Sequence, residues 1–503
     1  MSTIRVRALA LAGSALSIGA SFLFSIAVTR KLPLEYLGLL NVFSAAIAIG
    51  SLPIGISSFM STRLVAKYRG IRSALVLISL VLGIIGVGIS GGYLFGLRDW
   101  IPASYLSLIA IFTFLSLIAS SISAVFSSGL TVFNRPRLVY GSFISSTVKM
   151  LAVVYIYVSG WTLYSVIVGT FFISLSTAVY YTVGGLYLLR ERGSIRMTAK
   201  EVLSGAWVSL LGYASSNLRS LDSFFIATLG GVYYNALWQV LGVVGSAYSF
   251  RGTLVSITYG ELLEVRERIR RIYLDFLMVM TAVTDVTLFI IFFEPNIMAF
   301  LRPQNLYLIG VMYVPLTMWA IMNLFNTASM YISNVMQGFE RVDIEREIEA
   351  RTYWKSLIFY AHFAEFLSTL FYVASIVPFM LAFRAAGDAM YVIEGAIAAS
   401  WASVVLAIII RVLRFPQLRE QIRAGEVLKD LLAPALASAL ILLLIRIPII
   451  TYLPPVTSAY RGLAELVLIF MITTGIYYSV SLLLSGRIRL VARIVIKRIL
   501  RRP

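Results

Sequence analysis

The chain has 503 residues, of which 59% are hydrophobic and 13% charged, and it carries a formal net charge of +19 at pH 7. So apolar a composition excludes a soluble nucleic-acid-binding protein despite the basic excess. With no cysteine and one histidine, disulfides, thiolate metal sites and most zinc chemistry are excluded as well.

A hydrocarbon core about 30 Å thick needs roughly 20 mostly apolar residues per helix. About fourteen such stretches follow one another, beginning near residues 8, 38, 73, 105, 139, 162, 203, 232, 272, 307, 357, 389, 430 and 462. The expectation is an all-α, polytopic membrane protein. The first stretch, Ala8 to Thr29, is followed by no small-residue cleavage pattern and reads as an uncleaved first helix rather than a signal peptide.

The connectors alternate between basic and charge-poor. One set carries Arg5, Arg7, Arg63 to Arg72, Arg135, Arg137, the run Arg190 to Lys200, the clusters Arg266 to Arg271 and Arg341 to Lys355, Arg411 to Lys429 and the tail from Arg487 onward. The other set has only Arg30, Lys31, Arg98, Arg302, Arg384, Arg446 and Arg461. About 32 of the 42 Lys and Arg thus fall on one face, which the positive-inside bias makes cytoplasmic. Both termini are expected in the cytoplasm and the chain in the plasma membrane, so the net charge reflects topology rather than an anionic partner.

Two pairs of segments echo one another. Phe133-Asn134-Arg135-Pro136 returns as Phe339-Glu340-Arg341-Val342, and Leu34-Glu35-Tyr36-Leu37-Gly38-Leu39 as Val232-Tyr233-Tyr234-Asn235-Ala236-Leu237, in both cases roughly 200 residues later. The pattern predicts parallel repeats: residues 1–197 as an N-terminal lobe of helices 1 to 6, 198–413 as a C-terminal lobe of helices 7 to 12, and 414–503 as a linker, helices 13 and 14, and a tail. No connector is long enough for a catalytic domain, so an enzyme is not expected. The longest connectors, Glu261 to Arg271 and Gln337 to Lys355, read as charged, solvated helix extensions. The tail spaces Arg489, Arg493, Lys497 and Arg501 four apart between apolar residues, as in a basic amphipathic helix lying on an anionic leaflet.

Interior polar residues are the candidate functional groups. At 100° per residue, Ser215, Ser216, Arg219, Asp222 and Ser223 of helix 7 fall within roughly a third of its circumference. An Arg and an Asp near mid-span cost about 2.5–3.5 kcal/mol each, so that arc lines a bundle interior or an aqueous cavity. Arg219 and Asp222 are spaced to pair with each other, which is the plainer, structural reading. Lys149 of helix 5 has no acidic neighbour in its own helix and needs a partner elsewhere. Arg251 of helix 8 either snorkels to the interface or faces a ligand. Asp285, Glu365, Glu394 and Glu465 are acids within spans; Asp285, and His362 with Glu365, could tune transport through protonation. Helix 10 bears a stripe of Asn323, Asn326, Asn334 and Gln337, suited to interhelical hydrogen bonds or sugar hydroxyls, and helix 1 has a close-packing face of Ser14, Ser17, Ser21 and Ser25. With no G-x-x-x-x-G-K-[ST] and no H-E-x-x-H, neither a cofactor nor a metal is expected, and the energy must come from a gradient or the membrane potential.

The helix plan, the Thr29-Arg30-Lys31-Leu32 and Glu35-Tyr36-Leu37-Gly38 elements, the polar stretch Asn217 to Asp222 and Gln337-Gly338-Phe339-Glu340-Arg341 together resemble the multidrug, oligosaccharidyl-lipid and polysaccharide exporter superfamily, and within it the polysaccharide or O-antigen flippase branch. The resemblance covers nearly the whole chain. It implies movement of an isoprenoid-pyrophosphate-linked oligosaccharide from inner to outer leaflet by alternating access. It also implies a cavity with cationic groups, onto which Lys149, Arg219, Arg251 and Arg30 map by position, with membrane lipids and glycan-assembly enzymes as partners. A diphosphate of about two charges moved outward gains roughly 4–5 kcal/mol at 100 mV, so ATP is unnecessary in principle. The alternatives are a multidrug or cation antiporter of the same superfamily, disfavoured because Ala8 to Thr29 contains no acid, a lipid II flippase, and, from another class, a membrane polysaccharide polymerase. For the topology, a single cysteine placed at Ser194 is expected to stay unlabelled by a membrane-impermeant maleimide in intact cells and to label after permeabilisation; labelling in intact cells would overturn it.

Overall fold

The computed structural model describes residues 16, 19–21, 23–190, 194–248, 250–252, 255, 272–339, 354, 356–387 and 390–500. The connector residues 256–271 and 340–353, together with Ser14 and Ser17 of the serine face, lie outside the described residues. The chain forms two compact units, Met1–Val243 and Val244–Pro503.

In the first unit, a helix described over residues 23–31 (α1) stops before Pro33, and α2 (Leu34–Gly50) and α3 (Leu52–Tyr68) follow as one kinked span. The kink falls at Ser51, because Pro53 in the first turn of α3 has no N–H to give the preceding turn. Arg69, at φ 52°, ends α3, and Ile71–Arg72 (β1) pairs in parallel with Leu189–Arg190 (β2). Between them run α4 (Ser73–Gly96), α5 (Ala103–Phe133), α6 (Arg135–Ser159) and α7 (Leu163–Gly185). Asn134 caps α6 through the Arg137 N–H, and Thr162 with Ser165 forms a reciprocal cap on α7. The helices α2, α4 and α5 approach closely through small residues. The Ser79 hydroxyl donates to the Ser121 carbonyl (2.7 Å), the Ser90 hydroxyl donates to the Ala46 carbonyl (2.5 Å), and a Cβ on Gly86 would sit 2.1 Å from the Gly50 carbonyl oxygen. In lipid, where apolar surface gives little drive for helix association, such close contact and interhelical hydrogen bonding replace it.

Helix α8 (Ile195–Leu218) tightens into a 3₁₀ turn at Arg219–Leu221 and continues as α9 (Asp222–Gly245), which is broken at Gly231 (φ 79°, ψ −176°). Only glycine adopts that conformation at no steric cost. The break delivers Val232 onto α2, where a Cβ on Gly38 would lie 2.3 Å from the Val232 carbonyl oxygen.

In the second unit, α10 (Ile272–Phe292) is buried along most of its length and is followed by the short α11 (Glu294–Leu301), then α12 (Tyr313–Phe339), α13 (Leu357–Ala385) and α14 (Tyr391–Arg414). Beyond them come α15 (Pro416–Gln421), α16 (Ala424–Val427), a wide π turn at Leu428–Leu432, α17 (Ala433–Tyr452), α18 (Ala459–Leu484) and the tail helix α19 (Gly486–Leu500). Asp430 in the wide turn accepts from the hydroxyls of Tyr273 (3.1 Å) and Ser485 (2.7 Å) and from Arg487 (3.3 Å), joining α10, the base of α17 and the start of α19.

Eight helices among the described residues are long and apolar enough to cross a bilayer. Others that the sequence reads as single spans are divided by the Ser51 kink or the 3₁₀ turn. Large apolar side chains such as Val158 on α6 and Leu444 on α17 point outward, as in a multi-pass membrane protein.

Two arginines that the sequence assigns to connectors lie within helices, Arg30 in α1 and Arg411 in α14, and both are buried, as is Arg302 in its connector after α11. Arg411 lies inside α14 and ties three helices together. It donates to the Ser329 carbonyl (3.1 Å) and hydroxyl (2.5 Å) on α12, and to the Ala361 carbonyl (3.1 Å) and Glu365 carboxylate (2.6 Å) on α13. Arg411→Ala is expected to destabilise the protein by about 3 kcal/mol, the low end for breaking a buried pair because Glu365 keeps 37% of its side chain exposed. Glu365→Gln, which leaves an acceptor, is expected to cost only about 1 kcal/mol. Denaturant unfolding of the purified protein in detergent reads both, and equal losses would show that the charge pair rather than the hydrogen-bond network sets the cost.

Candidate functional site: interior cations and polar knots

In the first unit, the candidate cation of α6 finds a neutral partner. Lys149 Nζ is half-buried and donates to Ser21 Oγ at 2.7 Å, so the serine of the first helix serves as more than a packing face. Among the described residues no carboxylate pairs with Lys149. Arg30, at the end of α1, is buried beside the equally buried Thr29.

Arg219 occupies the 3₁₀ turn, and Asp222 opens α9 directly after it. The Asp222 carboxylate accepts from the Ser223 N–H (2.5 Å) and the Trp238 indole N–H (3.2 Å), and Arg219 acts on it electrostatically from one turn back. The acid that the sequence pairs with Arg219 is therefore also anchored across the Gly231 break. Beside it lies a polar knot that sequence reasoning did not find. Asn41 of α2 donates to Asn235 Oδ1 (2.7 Å) and Ser223 Oγ (3.2 Å), Ser223 Oγ donates to Asn235 Oδ1 (3.0 Å), and Asn235 donates to the Gly38 carbonyl (3.0 Å). The two echoing segments, 34–39 and 232–237, are thus in direct contact, and their repeat was the signal that pointed there.

In the second unit, two candidates come together. Arg251 Nη1 donates to Asn323 Oδ1 at 2.8 Å, while Asn323 Nδ2 donates to the Trp319 carbonyl at 2.9 Å, leaving Arg251 with a neutral amide and, 6.0 Å away, the Tyr248 ring. No carboxylate pairs with Arg251 among the described residues. Asn326 stands one turn beyond Asn323 and is partly exposed. Asn334 and Gln337 turn back on their own helix, to the Met330 carbonyl and the Ser333 hydroxyl, whereas Asn323 also meets Arg251.

Glu365 is engaged by Arg411, with His362 partly buried one turn away and within the field of the same guanidinium. Arg411 was hidden from the sequence reading by the charged run that follows it. Its signal was the buried stripe Ser400, Ser403, Val404, Ala407, Arg411, which continues one face of α14. Asp285 is 4% exposed and accepts from Thr474 Oγ1 at 2.8 Å.

Chemically, these arrangements can bind and neutralise charge. Among the described residues no three of His, Cys, Asp and Glu cluster as a metal site.

No family model matches the chain, and no curated protein matches it by sequence. Its fold, in contrast, matches solved structures over most of their length. The lipid II flippase MurJ in an inward closed conformation superposes with a TM-score of 0.63 at 11% identity, covering 94% of this chain and 99% of that one. A MOP superfamily transporter from Pyrococcus furiosus and a MATE protein in complex with MaD3S each give a TM-score of 0.52 at 16% identity, over 83% of this chain and 96% of theirs. At such identities it is the fold that is shared, and the chain is a multi-pass membrane protein with the fold of the MOP superfamily transporters.

Proposed function

We propose that this protein is a flippase that carries an isoprenoid-pyrophosphate-linked oligosaccharide from the inner to the outer leaflet by alternating access, with residues 1–197 and 198–413 as the repeating lobes. The observation that carries the reading is the state of the interior cations. Lys149 in the first unit and Arg251 in the second each meet neutral oxygens and no carboxylate among the described residues. A cation held at membrane depth without a counter-charge is costly, and an anionic ligand offsets that cost through charge-assisted hydrogen bonds. A cation exporter would be expected to present the opposite polarity. The MurJ structure, named as a lipid II flippase, supports the same class of substrate.

On this reading Lys149, Arg219 and Arg30 of the first unit hold the pyrophosphate, and in the second unit Arg251 offers a further cation for phosphate and Asn323 and Asn326 offer amides to the glycan. Asp222, anchored by Trp238 while sensing Arg219, gates access to that arginine. The test is flipping of a fluorescent lipid-pyrophosphate oligosaccharide in proteoliposomes. Lys149→Ala, Arg219→Ala and Arg251→Ala are each expected to slow flipping by about tenfold or more at unchanged expression, the worth of one charge-assisted hydrogen bond. Asp222→Asn is expected to change turnover more than apparent affinity. Parent rates in the alanine variants, or transport of a lipophilic cation in place of the lipid, would overturn the assignment.

A further inference from the structure

A second polar centre lies between α10 and α18, apart from every group assigned to the pyrophosphate. Thr281, Thr284 and Asp285 share one face of α10 at i, i+3 and i+4, while Thr474, Tyr477 and Ser481 share a face of α18 at i, i+3 and i+7. The two faces meet: Thr474 donates to Asp285 Oδ2 at 2.8 Å, and the Tyr477 hydroxyl lies against Thr281, Thr284 and Ser481. Tyr477 and Ser481 are fully buried, and Thr281, Thr284 and Asp285 are each 4% exposed.

Asp285 Oδ1 and the hydroxyl oxygens of Thr281, Thr284, Tyr477 and Ser481 make no hydrogen bond of acceptable geometry among the described residues. Each buried polar atom left so is costly, and several in one place call for a common partner. No Lys or Arg pairs with Asp285 among the described residues, so the carboxylate lacks a counter-ion.

We propose that Asp285, Thr281, Thr284 and Tyr477, with Ser481 beside them, form a binding site for a dehydrated monovalent alkali cation, Na⁺ or K⁺. The donor set is all oxygen, which suits a hard cation, and it carries one negative charge, which balances one positive charge. A divalent ion would need further carboxylates, and none gathers there among the described residues. A water molecule would satisfy hydroxyls but leave the carboxylate charge uncompensated, and a proton would neutralise the carboxylate but leave most hydroxyls unsatisfied. Access is provided by an adjoining cavity of about 350 Å³ lined by Leu277, Met278, Thr281, Tyr478, Leu482 and Val491, which reaches the site at Thr281. Where the sequence offers Asp285 as a lone protonatable group, the structure puts Thr474 on its carboxylate and the hydroxyls of Thr281, Thr284, Tyr477 and Ser481 on the same two facing helix faces.

The test is thermal unfolding of the full-length protein in detergent, with choline chloride replaced stepwise by NaCl or KCl at constant ionic strength. The expected result is a saturable rise in Tm with at least one of the two salts, absent in Asp285→Asn. Thr284→Val and Tyr477→Phe keep side-chain volume and remove one oxygen each, so they remain informative where the aspartate variant does not fold. Each is expected to weaken the apparent cation affinity about tenfold. Equal Tm in choline, sodium and potassium, as buried water or a proton alone would give, overturns the proposal. So does a parent-like cation response in both conservative variants. The site shares no residue with the pyrophosphate contacts, so this titration and the flipping assay fail independently.

Discussion

Inside a bilayer there is no water to finish a hydrogen bond, and the structure is organised by that fact. Backbone groups are satisfied within helices, and a polar side chain that enters a span bonds back to its own helix, finds its partner on a neighbouring one, or holds one from outside the chain. The protein turns this constraint into its tertiary contacts. Arg411 joins α12, α13 and α14; Asp430 joins α10, the base of α17 and the start of α19; Asn41, Ser223 and Asn235 join α2 to both arms of α9. Away from these ties α2, α4 and α5 meet through serine and glycine, while α10 and α12 pack through large apolar side chains such as Phe276, Leu277, Tyr331 and Met336.

The same constraint separates structural from functional polarity. A buried arginine bonded to carbonyls, a hydroxyl and a carboxylate, as at Arg411, has its charge balanced within the chain. Lys149 and Arg251, given only neutral oxygens, and Asp285, given one threonine, are held in place without being neutralised. The polarity of these sites is mixed across the molecule, with the cations and the acid on different helices, which is the distribution required if an anionic substrate and a small cation are to be handled by separate groups.

Much of the architecture was legible beforehand because span length and loop charge are properties of single segments. The break at Ser51 was harder to see, since it lies inside a run read as one span, whereas the break at Gly231 falls where the sequence begins a new stretch near residue 232. The interior arginines were misread for the converse reason: Arg411 is followed at once by a charged run, and a window that counts charge cannot tell the last turn of a helix from the loop after it. The hydroxyl-lined centre around Asp285 was beyond the sequence altogether, because threonine, serine and tyrosine in an apolar helix are most often satisfied by their own backbone, and only the packing of α18 on α10 brings them into one place. In the candidate site, Lys149 and Arg251 could be named but their partners could not, since Ser21 is 128 residues and Asn323 is 72 residues away in the chain.

The 3₁₀ turn at Arg219–Leu221 also explains why the polar arc of helix 7 does not face a single direction. At 100° per residue, Ser215, Arg219 and Asp222 share one side, but each 3₁₀ residue advances about 120° and rises about 2.0 Å against 1.5 Å for an α-residue. Three such residues overwind everything beyond them by about 60° and lengthen the rod by about 1.5 Å. That swing aims Ser223 at Asn41 and Asp222 at Trp238. Relaxing the turn to α-helical pitch would reverse it as a screw motion, withdrawing Asp222 and Ser223 from those partners in one stroke while leaving both helical arms intact. Helix 7 therefore carries, in three residues that include Arg219, a turn that sets its two arms about a sixth of a rotation away from where a continuous α-helix would put them.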